Sequence, residues 1–381
     1  MAYESSVPYR AGTEGYTSLR IPAVVRARSG HLLAFAEGRV SSAADSGTIH
    51  IVLKRSADAG RTWGPLQVVA RNGSGTAGNP APVVLDSGRV LLLQVHNAAD
   101  ATEDRIRRGR VPPADGRRVW LQHSDDDGAS WSPPREITEQ AKLPQWRWYA
   151  TGPGHALQLR HGPYTGRLLV PANHSTPPTG PQDSGTEPRY NGGHALLSDD
   201  DGATWRIGYT DSHSHSHSYS HSHSHSGGDS DTDRSVAPNE TTAAELPDGS
   251  VYLNARNEAA AAWRRVDAVS TDGGEHLVRP FRPQAGLAGP AVQGSALHLG
   301  DRGALLFSGP AHPAARALMT LRASRDGGLT WRTVHTVGGL PAAYSDLVCL
   351  DRHSVGLLYE TGDFSAYSTI TFRRIPVEEP T

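Results

Sequence analysis

The sequence has little of what marks several common classes of protein. Among its 381 residues there is one cysteine, Cys349, so an internal disulfide is excluded. No apolar run approaches the roughly 18 residues that a membrane-spanning helix needs, and we expect no membrane span. The formal net charge is −2, which gives no basic excess for binding nucleic acid or an anionic membrane surface. Helical periodicity is nearly absent, which argues against an α-helical fold.

The first residues, 1–12, also lack the charged and then apolar segments of a secretory signal. The default expectation is therefore a cytoplasmic protein. Secretion by another route stays open as the alternative, and nothing in the composition predicts an oligomeric state.

Glycine and proline, by contrast, are abundant, with 41 and 27 residues, and both favour turns. One short pattern, Ser-x-Asp-x-Gly-x-Thr/Ser-Trp, begins at residues 56, 124, 198 and 324, and a copy without its Thr and Trp begins at 270. Repeats 54 to 74 residues apart are typical of propellers and arrays. The Asp and Gly of each copy predict a tight turn, and the Trp predicts a ring buried against a neighbouring strand. We therefore interpret these Asp residues as turn formers rather than as catalytic groups.

Short apolar or alternating segments lie between the repeats, for example 32–36, 90–95, 251–253 and 355–359. Each is bounded by Gly, Pro, Asp or Ser, which is typical of β-strands. Six four-stranded blades of about 60 residues would account for the whole length. The sequence therefore predicts an all-β, six-bladed propeller that forms a single domain over residues 1–381.

A low-complexity insert at about residues 212–230 interrupts this pattern. It alternates His and Ser around Tyr219 and carries six histidines. Because Tyr219 is the one residue it could bury, we interpret the insert as a solvated surface loop that folding and catalysis do not need. Metal binding is the alternative, since alternate histidines can offer imidazoles to Zn²⁺ or Ni²⁺.

Arg20, Ile21 and Pro22 open an apolar segment near the N-terminus. Together with the Asp-Gly repeats, known as Asp boxes, this motif resembles the exo-α-sialidase family over nearly the whole chain. The resemblance implies a sialidase-like propeller that hydrolyses terminal α-ketosidically linked sialic acids, so the expected partner is a sialylated glycan or oligosaccharide. Two alternatives stay open: a propeller that binds glycans without cleaving them, and a trans-sialidase that passes sialic acid to another sugar.

Sialic acid carries a carboxylate on its anomeric carbon, and planar guanidinium groups match a carboxylate with paired N–H bonds. By the resemblance, Arg20 and Arg256 are two of the family's three carboxylate-binding arginines. Arg316 is favoured as the third; Arg322 stays an alternative because both would lie on the same side of an extended strand. Arg39 is a candidate for a fourth contact. No metal or organic cofactor is required, since the arginines supply the positive charge.

The same carboxylate would repel a second negative charge at the anomeric carbon, so a neutral phenol suits the nucleophile better than Asp or Glu. The resemblance implies Tyr344 as the nucleophile and Glu240 as the base that a tyrosine of ordinary pKa needs. It implies Asp45, in a loop of small residues, as the acid/base. Glu360 matches a family glutamate that holds Arg20 in place.

Two further segments resemble family loops around the sugar. Asn79 belongs to one, and Trp148 and Tyr149 belong to the other. We expect the amide and the two aromatic rings to contact the substrate, with packing inside a turn as the alternative for the rings.

Overall fold

The computed structural model describes residues 4–212, 236–259, 264–300 and 303–377. The insert predicted at 212–230 lies outside these residues, apart from Ser212. The described residues contain two short α-helices, α1 (Glu103–Arg107) and α2 (Thr138–Ala141), and two 3-10 helices, Gly162–Tyr164 and Pro188–Tyr190. None of these helices is long and apolar enough to cross a membrane.

Strands make up about half of the described residues. In chain order they are β1 (Ser5–Arg10), β2 (Ser18–Arg26), β3 (Leu32–Arg39), β4 (Ile49–Ser56), β5 (Gln67–Ala70), β6 (Thr76–Val84), β7 (Val90–Asn97), β8 (Arg118–Ser124), β9 (Arg135–Glu136), β10 (Tyr149–Thr151), β11 (Leu157–Gln158), β12 (Leu168–Ser175), β13 (Asn191–Ser198), β14 (Arg206–Ser212), β15 (Pro238–Glu245), β16 (Val251–Asn257), β17 (Arg264–Ser270), β18 (Arg279–Ala288), β19 (Ser295–His298), β20 (Leu305–Pro310), β21 (Met319–Ser324), β22 (Arg332–Thr336), β23 (Ala342–Asp351), β24 (Ser354–Thr361) and β25 (Thr369–Pro376).

The strands form an all-β propeller. Three sheets have four strands, in the orders β1-β25-β24-β23, β15-β16-β17-β18 and β19-β20-β21-β22, and a fourth has the order β10-β12-β13-β14 with β11 beside β12. The remaining sheet has eight strands, in the order β2-β3-β4-β6-β7-β8-β9 with β5 beside β4. Among the described residues, the separate sheets of blade size therefore number four rather than the six expected. The physical reason is one parallel pair, Ile49 with Thr76, which joins β4 to β6.

The inner strands surround a common axis. Strand β2 packs against β6 and β23, and β15 packs against β11 and β19. The first residues of β2, β6, β15 and β23 line a pocket at one end of the axis and their last residues line a pocket at the other end, so these four strands run in the same direction along the axis. The N-terminal strand β1 pairs with β25 and so completes the sheet that ends the chain.

The Asp boxes form the turns that follow β4, β8, β13, β17 and β21. In the first box the Ser56 hydroxyl donates to Asp58 at 2.8 Å and accepts the Gly60 N–H at 2.8 Å. Asp58 also accepts the N–H and the hydroxyl of Thr62, at 2.9 and 2.7 Å. Among the described residues, none of the box aspartates lines either pocket at the ends of the axis, so the interpretation as turn formers is confirmed.

The first box also joins its sheet to the sheet that contains β25. Trp63 packs edge-to-face on Phe372 of β25, with ring centroids 5.5 Å apart. Gly60 has φ +85°, and a Cβ there would lie 2.1 Å from the Phe372 ring, so this position requires glycine. In the degenerate fourth copy, His276 replaces Thr and donates its backbone N–H to Asp272 at 2.9 Å. The turn therefore survives the loss of the motif.

Candidate active site

Two pockets open at the ends of the propeller axis. One, of about 370 Å³, lies at the last residues of the inner strands, and none of the predicted site residues lines it. The other, of about 260 Å³, lies at their first residues and is here called the axial pocket. Charged groups converge there, which makes it the candidate active site. The predicted residues that line it are Arg20, Arg39, Asp45, Asn79, Trp148, Glu240, Arg256, Arg316 and Tyr344.

Irregularities in four inner strands position these side chains. The pairing register breaks in β2, β6, β15 and β23, at or beside Arg20, Asn79, Glu240 and Tyr344. A bulge bends its strand and redirects a side chain. Inner-strand residues can thereby reach the mouth of the axial pocket while the rest of each strand keeps its place in the sheet.

The backbone at the first of these bulges is strained. Ile21 has φ 58°, an unusual conformation for a β-branched residue. Its N–H donates to Glu360 Oε1 at 2.9 Å, and its side chain is 4% exposed in a cluster with Val292 and Tyr344. The left-handed residue therefore separates Arg20, at the pocket, from the regular part of β2.

Arg20 is held by Glu360 as the resemblance implied. Its Nε and Nη2 donate to Oε1 and Oε2 of Glu360, both at 3.1 Å. Glu360 is fully buried and also accepts the Tyr344 N–H at 3.2 Å. Burial alone would lower the pKa of Arg20, but the charges of Glu360 and Tyr344 and the hydrogen bonds to Glu360 together outweigh burial and raise the pKa. The guanidinium group also lies 4.2 Å from the ring centroid of Tyr367.

Tyr344, Glu240 and Arg256 form one hydrogen-bonded group. The Tyr344 hydroxyl donates to Glu240 Oε1 at 2.5 Å. Arg256 Nη1 donates to Glu240 Oε2 and to the Tyr344 oxygen, each at 3.2 Å. Burial and the charge of Glu240 raise the pKa of Tyr344 well above its usual value, although Arg256 acts in the opposite direction. The phenol of Tyr344 therefore keeps its proton, which it donates in a hydrogen bond to the carboxylate of Glu240.

Asp45 lies at the mouth of the axial pocket, with its side chain 74% exposed. Arg39 Nη1 lies 2.7 Å from its carboxylate, and Arg20 Nη1 lies 3.9 Å away. Desolvation would raise the pKa of Asp45, but the charges of Arg39 and Arg20 outweigh it and lower the pKa. Arg39 is itself 2% exposed and is held by Glu37 at 2.7 Å.

The two alternatives for the third arginine lie in different places. Arg316 lines the axial pocket, where its Nη1 donates to the Tyr367 hydroxyl at 2.9 Å and its Nη2 donates to the Ala291 carbonyl at 3.0 Å. Arg322 is 9% exposed, does not line the axial pocket and donates to the Ala288 carbonyl at 3.3 Å. The geometry thus brings Arg316, and not Arg322, to Arg20 and Arg256.

Of the three residues expected to contact the sugar from the pocket wall, two line the axial pocket and one does not. Asn79 and Trp148 line the axial pocket, and both are 8% exposed. The expectation for Tyr149 is wrong: its side chain is fully buried in the core, with its ring centroid 5.0 Å from that of His194. Side chains alternate along a strand, so Trp148 and Ala150 face the pocket while Tyr149 faces the other way.

The structure adds charged residues that sequence reasoning missed. Arg117 is 3% exposed, donates to Asn79 Oδ1 at 2.9 Å and lies 3.9 Å from the ring centroid of Trp148. Burial lowers its pKa to about 10 despite nearby carboxylates. Glu258 forms an ion pair with Arg256. Glu103 and Arg107 also line the pocket. No signal singled these residues out, because charged segments usually form solvated surface.

Comparisons with known proteins agree with this geometry. A family model described as a BNR repeat-like domain matches residues 30–357. An exo-alpha-sialidase of Aspergillus fumigatus is 30% identical over 94% of this chain and 84% of its own length. A sialidase of Micromonospora viridifaciens is 31% identical over 94% of this chain and 52% of its own length. The solved structure of the Hadza microbial sialidase Hz136 superposes with a TM-score of 0.79 at 25% identity, over 99% of this chain and 69% of that one.

The propeller fold and the similarity to named sialidases together define a glycoside hydrolase, with its candidate active site at one end of the axis. Within that class, the matched repeats and the similarity to named sialidases over most of the chain identify one family. The chain belongs to the exo-α-sialidase family.

Proposed function

We propose that the protein is an exo-α-sialidase that removes terminal α-ketosidically linked sialic acids with retention, using Tyr344 as its nucleophile. One observation carries the proposal: the Tyr344 hydroxyl bonds Glu240 at 2.5 Å beside the guanidinium group of Arg256. The names of the similar proteins support the activity but do not test the nucleophile.

In the proposed reaction, Arg20, Arg256 and Arg316 bind the substrate carboxylate. The Tyr344 oxygen forms a bond to the anomeric carbon as the glycosidic carbon–oxygen bond breaks. The tyrosine proton passes to Glu240, and Asp45 gives its proton to the departing oxygen. Water then attacks the tyrosyl intermediate with Asp45 as base, and Glu240 returns its proton to the tyrosine.

Asp45 must carry a proton to act first as an acid, although Arg39 and Arg20 lower its pKa. A bound substrate carboxylate would offset part of the arginine charge and raise that pKa. Binding of the anionic sugar thereby prepares the acid that its own cleavage requires.

The nucleophile is tested with Tyr344→Phe, which keeps the ring and removes the attacking oxygen. Turnover of an aryl α-sialoside should be nearly abolished, while a sialic acid analogue should still bind. Tyr149→Phe is the matched control, since it removes a buried hydroxyl away from the pocket. A fluorinated sialosyl donor should add its mass to the peptide that carries Tyr344. Label on another residue, or full activity of Tyr344→Phe, would refute the assignment.

The same residues could transfer sialic acid to another sugar. Product analysis in the presence of an acceptor such as lactose separates the two: hydrolysis gives free sialic acid, and transfer gives a new sialoside.

We also propose that the eight-stranded sheet consists of two blades, β2–β5 and β6–β9, so that residues 1–381 form one six-bladed domain. The support is that one parallel pair, Ile49 with Thr76, joins the two halves. Each half also contributes its own first strand to the ring around the axis.

A further inference from the structure

Trp120 lies on β8 outside the Asp boxes. Its half-buried indole ring lines a third pocket, of about 290 Å³, which is here called the outer pocket. The ring stacks on His96 of β7, with centroids 4.9 Å apart and planes inclined by 21°. This contact fixes the orientation of the indole. The C–H groups of a pyranose ring carry partial positive charge and pack favourably on such an aromatic face.

Polar groups without partners lie in the same lining. Asn97 is 3% exposed and uses its Nδ2 to donate to the carbonyls of Ala98 and Ala101, at 2.9 and 3.2 Å. Its Oδ1 and the Trp120 Nε1 have no hydrogen-bond partner among the described residues. A buried acceptor and a buried donor left in this state are costly. Both atoms are themselves buried, so they mark unmet hydrogen-bonding capacity beneath the pocket surface, and the exposed groups of the lining make the first contacts with a ligand.

The charges of the outer pocket favour a neutral ligand. The guanidinium group of Arg118 is already paired with Glu136, with Nε–Oε1 and Nη2–Oε2 distances of 2.7 and 2.5 Å. Burial lowers the pKa of His96 to about 4, so its imidazole is neutral near pH 7. Asp115 adds an exposed carboxylate, which accepts bonds from hydroxyl groups and repels anions. The axial pocket, with its converging guanidinium groups, has the opposite character.

The two pockets are close neighbours. The segment 98–117 separates them: Glu103, Arg107 and Arg117 line the axial pocket, while Ala99 and Asp115 line the outer pocket. Both therefore open beside the same loop. We propose that the outer pocket binds a neutral hexose unit of a glycan. This proposal goes beyond the cleavage of sialic acid, and its binding test does not depend on it.

Binding is measured by saturation-transfer NMR on the whole protein with methyl β-galactoside and methyl β-glucoside as probes. We expect a signal with wild type, and at least fivefold weaker binding after Trp120→Leu. Trp120→Phe, which keeps an aromatic face, should be affected less. Asp115→Ala should weaken binding two- to fivefold, while Asp100→Ala, exposed in the same segment but outside the lining, should not. No signal at tens of millimolar sugar, or equal binding by Trp120→Leu, would overturn the proposal.

A second measurement identifies the source of the hexose. If it belongs to the glycan being cleaved, Trp120→Leu should lower kcat/KM for a sialylated oligosaccharide but not for an aryl sialoside. If binding is lost while both rates stay the same, the pocket binds a separate saccharide. The aryl sialoside and the melting temperature also report whether the variant is folded. If no sialoside is cleaved by wild type, the proposed function fails, and the galactoside titration still decides this inference.

Discussion

Each guanidinium group in the axial pocket already has a protein partner before substrate binds. The pairs are Arg20 with Glu360, Arg39 with Glu37, Arg107 with Glu103, Arg117 with Asn79, Arg256 with Glu240 and Glu258, and Arg316 with Tyr367. An unpaired buried charge destabilises the folded state, so these partners allow the fold to hold a cluster of buried arginines. They also orient the N–H groups in advance, so little reorganisation remains when a carboxylate arrives.

Arg316 and Arg322 differ in position, and we expect their replacement to differ in kind. Arg316→Ala should lower kcat/KM at least tenfold, because losing one charged hydrogen bond typically costs about 1.5–3 kcal/mol. Arg322→Ala should mainly lower stability, since Arg322 is buried outside the pocket. Steady-state kinetics and thermal unfolding of both variants check this. A severe kinetic loss confined to Arg322→Ala would reverse the assignment.

Tyr367 links two arginines, since its ring lies under Arg20 and its hydroxyl accepts from Arg316. Tyr367→Phe should raise KM two- to fivefold with little change in kcat, because both charges remain and only the position of Arg316 is loosened. Tyr367→Leu should raise KM further. Tyr190→Phe, whose hydroxyl bonds Asp183 outside the pocket, is the matched control. If kcat falls while KM stays constant, Tyr367 acts in the chemical step and not in positioning.

At the scale of elements, the repeats predicted where turns form, and the structure has turns there. They could not predict the bulges in β2, β6, β15 and β23, because a bulge depends on pairing with a partner strand. The site residues were therefore recognised by motif, while their convergence on one pocket needed the fold. Tyr149 shows the same limit: which of two adjacent aromatic residues faces the pocket depends on strand register.

The box turns should contribute to stability and not to catalysis. Asp126 accepts a bond from the Ser124 hydroxyl at 2.8 Å and from the Ser130 N–H and hydroxyl at 2.8 and 2.6 Å. Asp126→Ala should lower the free energy of unfolding by about 0.5–1.5 kcal/mol, because water replaces only part of what these hydrogen bonds contribute at an exposed turn. The adjacent Asp125→Ala removes a surface ion pair with Arg89 and should cost less than about 1 kcal/mol. Urea unfolding measures both, and kcat per folded molecule should be unchanged; a catalytic loss in Asp126→Ala would contradict the structural role.

At the scale of the whole molecule, one buried carboxylate joins several parts of the ring. Asp346 of β23 accepts the Val24 N–H of β2 at 2.8 Å and the Ser295 hydroxyl of β19 at 2.8 Å. It also accepts the His155 N–H at 3.0 Å and lies 2.7 Å from the His155 Nδ1. No sequence motif indicates this group, since its members are far apart in the chain. These residues come together only when the ring of strands closes.

The same pair makes stability depend on pH. Burial would lower the pKa of His155, but the charge of Asp346 and the hydrogen bond to it together outweigh burial and raise the pKa above its usual value of about 6.5. A proton held more tightly in the folded state stabilises it fully below pH of about 6.5, and this stabilisation is lost as pH rises through the folded-state pKa. The melting temperature of wild type should therefore fall as pH is raised above about 6.5, and His155→Gln should reduce that slope. Asp346→Asn, if it folds, should do the same. Burial lowers the pKa of His194, so the titration of His194 affects stability below pH of about 6.5 and does not contribute to the change measured above it. Equal slopes for wild type and His155→Gln would show that the His155–Asp346 pair does not control stability.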